Sequence, residues 1–381
     1  MEKAFLLAGL GTALFLLGGA DLGQLTRAAP GASELRGVYM ELHGNPRFGV
    51  FPLVADKDWR RLARELKALG VNALFPEVVD ASGAAYPSQV VATRPPESRQ
   101  GFPDLLQVIL DAAHAEGLEV HPWTIEWSHA PRDIPADRLV HDKDGKTEPF
   151  LCPSVEANRA LMRDMLLELA TRYDIDGLQY DYMRLPGDKY CYCDACRTGF
   201  EKLLGERVAD WPAAVSPGGP LEGRYLDYLC DTVSRFVEEM KPVLKKAKPN
   251  IVISVAVWAN NSTSRNVGVR QDWGKWVAGG WLDFVAPMNY GNKWIIDRFE
   301  EYARAEAKNV AGRVPLVYGI GAFQDSPEGQ VNAVKTGRSL KASGFIMYTL
   351  TQETFTKHLP ALSREVWQEP ATVPAFGRKG R

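Results

Sequence analysis

The chain has 381 residues, 45% of them hydrophobic and 24% charged, with a formal net charge of −2. That composition fits a globular protein with one large core or two small ones, and it excludes nucleic-acid or anionic-membrane binding driven by bulk charge. Ten Trp and thirteen Tyr must mostly serve core packing, yet flat aromatic faces in a cleft also suit the apolar faces of sugar rings.

At the N-terminus, Glu2 and Lys3 precede an uncharged run from Ala4 to Ala20. Its glycines and its slightly short length fit the apolar region of an export signal better than a spanning helix. Small residues at Ala28–Ser33 offer a cleavage zone, and no Cys lies near them for lipid attachment. Residues 1–33 are therefore read as a signal peptide or an uncleaved N-terminal anchor. The chain is expected to be exported, whether periplasmic, cell-surface or secreted, with membrane contact only if that segment is retained.

From Leu35 onward, strand-like runs alternate with amphipathic helical runs. Leu35–Leu42 is a strand; Asp58–Leu69 is a helix with Trp59, Leu62, Leu66 and Leu69 on one face; Val71–Val79 is the second strand. The helix Phe102–Glu116, the strand Leu118–Trp127 and the helix Ser154–Tyr173, opened by a Ser cap, follow. Ile175–Pro186, IDGLQYDYMRLP, is the fourth strand; it ends in Asp181 and Arg184 just before a Pro-Gly-Asp breaker. The second half repeats the rhythm, with strands at Ile251–Trp258, Leu282–Tyr290, Val314–Ile320 and Gly344–Leu350. Between and after them come helices at Gly223–Lys248, Asp272–Ala278, Ile295–Asn309, Glu328–Lys341 and Leu359–Trp367. Eight strand–helix units predict a single-domain (β/α)₈ TIM barrel over 34–368, followed by a disordered tail over 369–381. An open doubly wound sheet would carry a Gly-rich phosphate loop after its first strand, and none follows Leu42.

In such a barrel the C-terminal strand ends form the active-site mouth. They carry Glu41 and His43, Glu77 and Asp80, Trp123, Glu126 and Trp127, Asp181 and Arg184, Trp258 and Asn260, Asn289 and Tyr290, Gln324 and Asp325, and Tyr348, Gln352 and Glu353. Carboxylates, amides and indoles together suit a glycan, which offers hydroxyls to the polar groups and ring faces to the aromatics. A phosphorylated substrate would call for a Lys/Arg cluster, which is absent from the list.

Three blocks carry a family resemblance: RYDIDGLQYDYMRLP, GVNALFPEVVDASGAAYPS (Gly70–Ser88) and QDWGKWVAGGWLDFVAPMNYG (Gln271–Gly291). Together they resemble the family-10-like glycosyl hydrolases, a barrel group first catalogued as a domain of unknown function. That group includes bacterial envelope enzymes acting on peptidoglycan glycan strands. The resemblance spans Glu34 to Trp367. It implies that Asp181 is the central acidic residue, and that Asp176 and Gly177 serve a tight entry to the strand. Glu77 stands where relatives often show an amide. Family 18 chitinases share a looser likeness, but their catalytic glutamate would fall on Met183, so their scheme does not transfer.

Glycosidic cleavage needs one carboxyl kept protonated and another kept ionised. Arg184 should lower the pKa of Asp181 and suit it to the nucleophile or base role, while Trp123 and Trp127 should desolvate Glu126 and suit it to the acid role, with Glu77 as second choice. Tyr39, His43, Trp123, Arg184, Trp258, Asn289, Tyr290, Tyr348 and Gln352 are the candidate substrate-binding residues. The expected function is therefore hydrolysis of glycosidic bonds in a cell-envelope or amino-sugar polysaccharide, with no cofactor required for catalysis and no nucleic-acid partner. A non-catalytic carbohydrate-binding barrel is the alternative.

Cys191, Cys193 and Cys196 follow the fourth strand as C-Y-C-D-A-C, with Cys152 and Cys230 elsewhere. Three thiols so spaced suit a structural zinc with Cys152, Asp194 or a histidine as fourth ligand. In an exported protein disulfides are the competing reading.

Overall fold

The computed structural model describes residues 31–42, 56–128, 134–290 and 293–378. The expected signal or anchor segment lies almost wholly outside the described residues. Eight parallel strands form a closed barrel: β1 Leu35–Met40, β2 Ala73–Asp80, β3 in two pieces Glu119–Val120 and Trp123–Ile125, β4 Gly177–Asp181, β5 Val252–Trp258, β6 Phe284–Asn289, β7 Val317–Gly321 and β8 Gly344–Tyr348. Each pairs with its sequence neighbours, and β1 pairs with both β2 and β8, which closes the sheet. Around it pack α1 Asp56–Ala68, α2 Leu105–Ala115, α3 Glu156–Arg172, α4 Asp194–Leu204, α5 Glu222–Ala247, α6 Trp273–Ala278, α7 Phe299–Val310, α8 Pro327–Ser339 and α9 Leu359–Glu365.

The alternation of side chains along each strand explains why these runs are apolar throughout. On β1, Val38 and Met40 join the layer beneath the helices, while Tyr39 joins Phe75, Trp123, Ile125, Phe284 and Ile346 inside the barrel. On α1 the predicted stripe of Trp59, Leu62 and Leu66 is buried against that outer layer.

Entry to β4 depends on the Asp176–Gly177 pair. Asp176 accepts the Val120 N–H at 2.9 Å and meets His114 Nε2 at 3.0 Å. A Cβ at Gly177 would lie 2.1 Å from His121 Nδ1, so glycine is what lets β4 enter beside the histidine in β3.

Among the elements not predicted, two fill long connections of the barrel. An antiparallel hairpin, Leu139–His141 with Thr147–Leu151, occupies the connection after β3, and α4 occupies the one after β4. Both pack in a side cluster with Cys152, Leu185, Cys191, Cys193, Cys196, Phe200 and Tyr225. The predicted Ser154 cap is not formed: α3 opens at Val155 with no side-chain cap, and the Ser154 hydroxyl instead lies 3.2 Å from Cys196 Sγ.

The C-terminal tail requires a correction over the described residues 369–378. Phe376 is 4% exposed and packs on Phe284 at a ring separation of 4.7 Å, and Arg378 pairs with Glu119 at 3.0 Å. The prolines that suggested disorder instead lead the chain across the barrel floor. Among the described residues no helix is long and apolar enough to cross a membrane.

Candidate active site

The end of β4 delivers the charges. Asp181 sits in register with Ile125 of β3, and its Oδ1 accepts the Tyr182 N–H at 2.6 Å and pairs with Arg184 at 3.2 Å. Tyr182 adopts a left-handed backbone, φ 49°, which turns the chain sharply after the strand. Its ring carries the Arg184 guanidinium at 4.0 Å from the centroid, so Arg184 is held by both a charge and an aromatic face.

The Asp181 side chain is only 16% exposed. Burial raises its carboxyl above the usual range, and Arg184 with the Tyr182 N–H pulls it back without cancelling the rise. The net shift is therefore opposite to the one expected from the Asp–Arg spacing alone, because desolvation outweighs the ion pair.

An aromatic wall faces this carboxyl. Tyr290 and Tyr348 stack at 4.8 Å with planes 1° apart, Tyr39 meets Tyr348 at 5.8 Å and Trp123 at 6.1 Å, and Phe323 closes on Tyr348 at 6.0 Å. Burial raises the phenols of both Tyr39 and Tyr290; the charge of Asp181 comes next for Tyr39, and Tyr39 followed by Asp181 for Tyr290, so both stay neutral hydroxyls at physiological pH. Tyr348 donates its hydroxyl to Glu41, whose other oxygen is buried with no hydrogen-bond partner among the described residues. Glu41 and Glu77 both act electrostatically on Tyr182, which places three carboxylates around one phenol.

Glu126 stands elsewhere. The desolvated surroundings expected for it are present: it is 1% exposed, and burial pushes its carboxyl well above the usual range. Yet it accepts the Thr124 hydroxyl at 2.5 Å and the Asp181 backbone N–H at 3.0 Å. A carboxyl committed to the main chain of β4 positions Asp181 and is not presented to the mouth. The flanking Trp127 packs edge-on to Phe236 of α5 at 5.0 Å, in the helix layer.

The remaining predicted residues divide. Arg184, Trp123, Tyr39, Tyr290 and Tyr348 converge with Asp181, Glu41 and Glu77. Trp258 is half-buried, its backbone engaged by Gln271 and Trp273. Asn289 is turned to α7, where it donates to Glu306 at 2.9 Å. Gln352 is exposed. His43 lies outside the described residues. Glu41 and Tyr182 had no assigned role in the sequence reading, although Glu41 stands two residues beyond Tyr39, the spacing that returns a strand to the same face. The three predicted cysteines gather with Cys152, all buried, as four thiols that could bind a metal.

Barrels of this shape recur among glycoside hydrolases. The structure of the PgaB (BpsB) glycoside hydrolase domain from Bordetella bronchiseptica superimposes with a TM-score of 0.69 at 15% identity, covering 87% of this chain and 99% of that one. The alpha-L-fucosidase isoenzyme 2 from Paenibacillus thiaminolyticus gives a TM-score of 0.63 at 16% identity, covering 88% of this chain and 49% of that one. In sequence, the glycosyl hydrolase DigH of Escherichia coli K12 is 24% identical over 261 residues, 59% of this chain and 56% of that protein. The chain thus matches just over half the length of its curated relatives. The profile of the glycosyl hydrolase-like 10 family matches residues 34–332, and with that match over most of the barrel the chain belongs to the glycosyl hydrolase-like 10 family.

Proposed function

We propose that the protein is an exported glycoside hydrolase that cleaves glycosidic bonds in a bacterial cell-envelope or amino-sugar polysaccharide. The observation that carries this reading is Asp181 at the end of β4, clamped by Arg184 and the Tyr182 N–H and facing the wall of Tyr39, Tyr290 and Tyr348. Stacked phenols offer a face to a sugar ring, and their hydroxyls meet its hydroxyls. Asp181 is the reacting carboxyl: burial raises it toward the proton-holding form, while Arg184 favours the ionised form, so it can both take and give a proton.

The second carboxyl is Glu41, held by the Tyr348 hydroxyl, with Glu77 as the nearby alternative. Glu126 is a positioning residue that fixes the Asp181 backbone. This acid–base chemistry requires no cofactor, and the four cysteines belong to the packed side cluster.

The test is product release from amino-sugar and envelope polysaccharides, including peptidoglycan stripped of its peptides, by wild type, D181N, E41Q, E77Q and E126Q. Cleavage lost in D181N and in one of E41Q or E77Q supports the pair. Binding without cleavage by wild type, unchanged in the variants, would make the barrel a carbohydrate-binding protein instead.

A further inference from the structure

We infer that Cys152, Cys191, Cys193 and Cys196 bind one zinc ion in a tetrahedral four-thiolate site that ties the connection after β3 to the connection after β4. The sequence left the fourth ligand open among Cys152, Asp194 and a histidine; the fold brings Cys152 to the cluster from 39 residues before Cys191. All four side chains are buried, and their sulfurs lie within 4.8 Å of one another.

The spacing selects the ligand. Cys152 Sγ stands 3.5 Å from Cys193 Sγ, 3.5 Å from Cys196 Sγ and 3.8 Å from Cys191 Sγ. Two thiolates on a tetrahedral zinc, each at a Zn–S bond of about 2.3 Å, stand roughly 3.8 Å apart. A disulfide draws two sulfurs to about 2.05 Å and could satisfy only one of the three neighbours of Cys152. Clusters with several irons spread their thiolates wider than a single centre does, so the compact arrangement suits one ion.

The surroundings supply what metal-bound thiolates accept. The His141 backbone N–H points at Cys191 Sγ at 3.4 Å, and the Ser154 hydroxyl lies 3.2 Å from Cys196 Sγ. Tyr225 donates its hydroxyl to the Cys191 carbonyl at 2.6 Å, fixing the loop that carries the ligands. Cys193 immediately precedes α4 and Cys196 lies in its first turn, where the helix N-terminus favours negative sulfur. Binding expels the thiol protons and leaves a centre of net charge −2; no electron is exchanged. Leu185, adjacent to Arg184, packs in the same cluster, so the ion would fasten the chain as it leaves the active-site strand. The site does not depend on the sugar chemistry.

The experiment is elemental analysis of the full chain purified without chelators or a metal-affinity column. One equivalent of zinc is expected, released by a thiol-specific mercurial and detected with a zinc dye. C152S should fall below roughly a tenth of an equivalent, whereas C230S, at the cysteine outside the cluster, should retain the full equivalent. Less than a tenth of an equivalent in wild type, a different metal in stoichiometric amount, or full zinc in C152S would overturn the inference. So would a non-reduced wild-type mass lighter by about 2 Da for each bridge, a readout that does not require any variant to fold.

Discussion

The two ends of the barrel handle buried charge in opposite ways. At the floor, where the strands begin, each carboxylate is matched. Glu34 pairs with Arg36 at 2.8 Å and Arg338 at 2.7 Å; Glu119 with His121 and Arg378, each at 3.0 Å; Asp283 with Lys241 at 2.9 Å and Lys245 at 2.7 Å. Burial pushes Glu119 up, but His121 and Arg378 together outweigh it and hold the carboxyl below the usual range. At the mouth, Asp181 shares one arginine and still ends above the usual range, and Glu41 is held by a phenol. Removing one partner of a buried pair is costly because it strands the other charge, so the floor keeps its carboxylates in closed sets of pairs. Carboxyls left off balance are the groups that can change protonation during a reaction. The same fold thus pairs its charge below and leaves it off balance at the mouth, the end where barrels of this kind place their sites.

The contrast can be broken by exchanging roles. D181N should lower the rate of glycosidic cleavage on the order of 10²–10⁴-fold while leaving the thermal midpoint within a few degrees of wild type; parallel loss of fold and rate would remove the distinction. F376A, on the floor, should do the reverse. It opens a cavity beside Phe284 and should cost about 3–5 kcal/mol in denaturant unfolding, with kcat of the folded fraction unchanged.

A buried carboxyl behind the mouth sharpens the comparison through pH. Glu306 of α7 is fully buried, its carboxyl is bonded to the amide of Asn289, and burial raises it from 4.5 to about 8. Its folded pKa lies above its unfolded one, so its contribution to stability is complete below about 4.5 and is lost as pH rises through about 8. E306Q should flatten that loss, making the variant more stable than wild type at pH 9 by on the order of a few kcal/mol. Identical pH–stability slopes for the two proteins would refute it. The smallest effect belongs to Y348F, which removes the hydroxyl on Glu41 and keeps the ring stacked on Tyr290. It should slow cleavage about tenfold, near 1.4 kcal/mol; an unaltered rate would exclude the Tyr348–Glu41 contact from the reaction.

Strand and helix order was readable because it is local. Short apolar runs ending at breakers mark strands, and the stripe of Trp59, Leu62 and Leu66 marks a helix, whatever lies across the core. The same locality fixed Asp181 and Arg184 at the mouth, since a strand end is defined by its own sequence, and it brought Tyr290 and Tyr348 there with them. Choosing the second carboxyl required more. Glu126 and Glu41 each follow a strand end, and only packing shows that one is held by the β4 backbone and the other by a phenol from β8.

Sequence by itself determined the eightfold β/α order, the family and the strand that ends in Asp181 and Arg184. Tertiary structure decided what depends on partners distant along the chain. It gave Cys152 to the cysteine cluster, and it folded the tail under the barrel through Phe376 and Arg378. It also settled the balance of burial against Arg184 that sets the Asp181 proton. Periodicity reports which face a residue takes within its own element, but desolvation and coordination are sums over neighbours that only the closed barrel brings together.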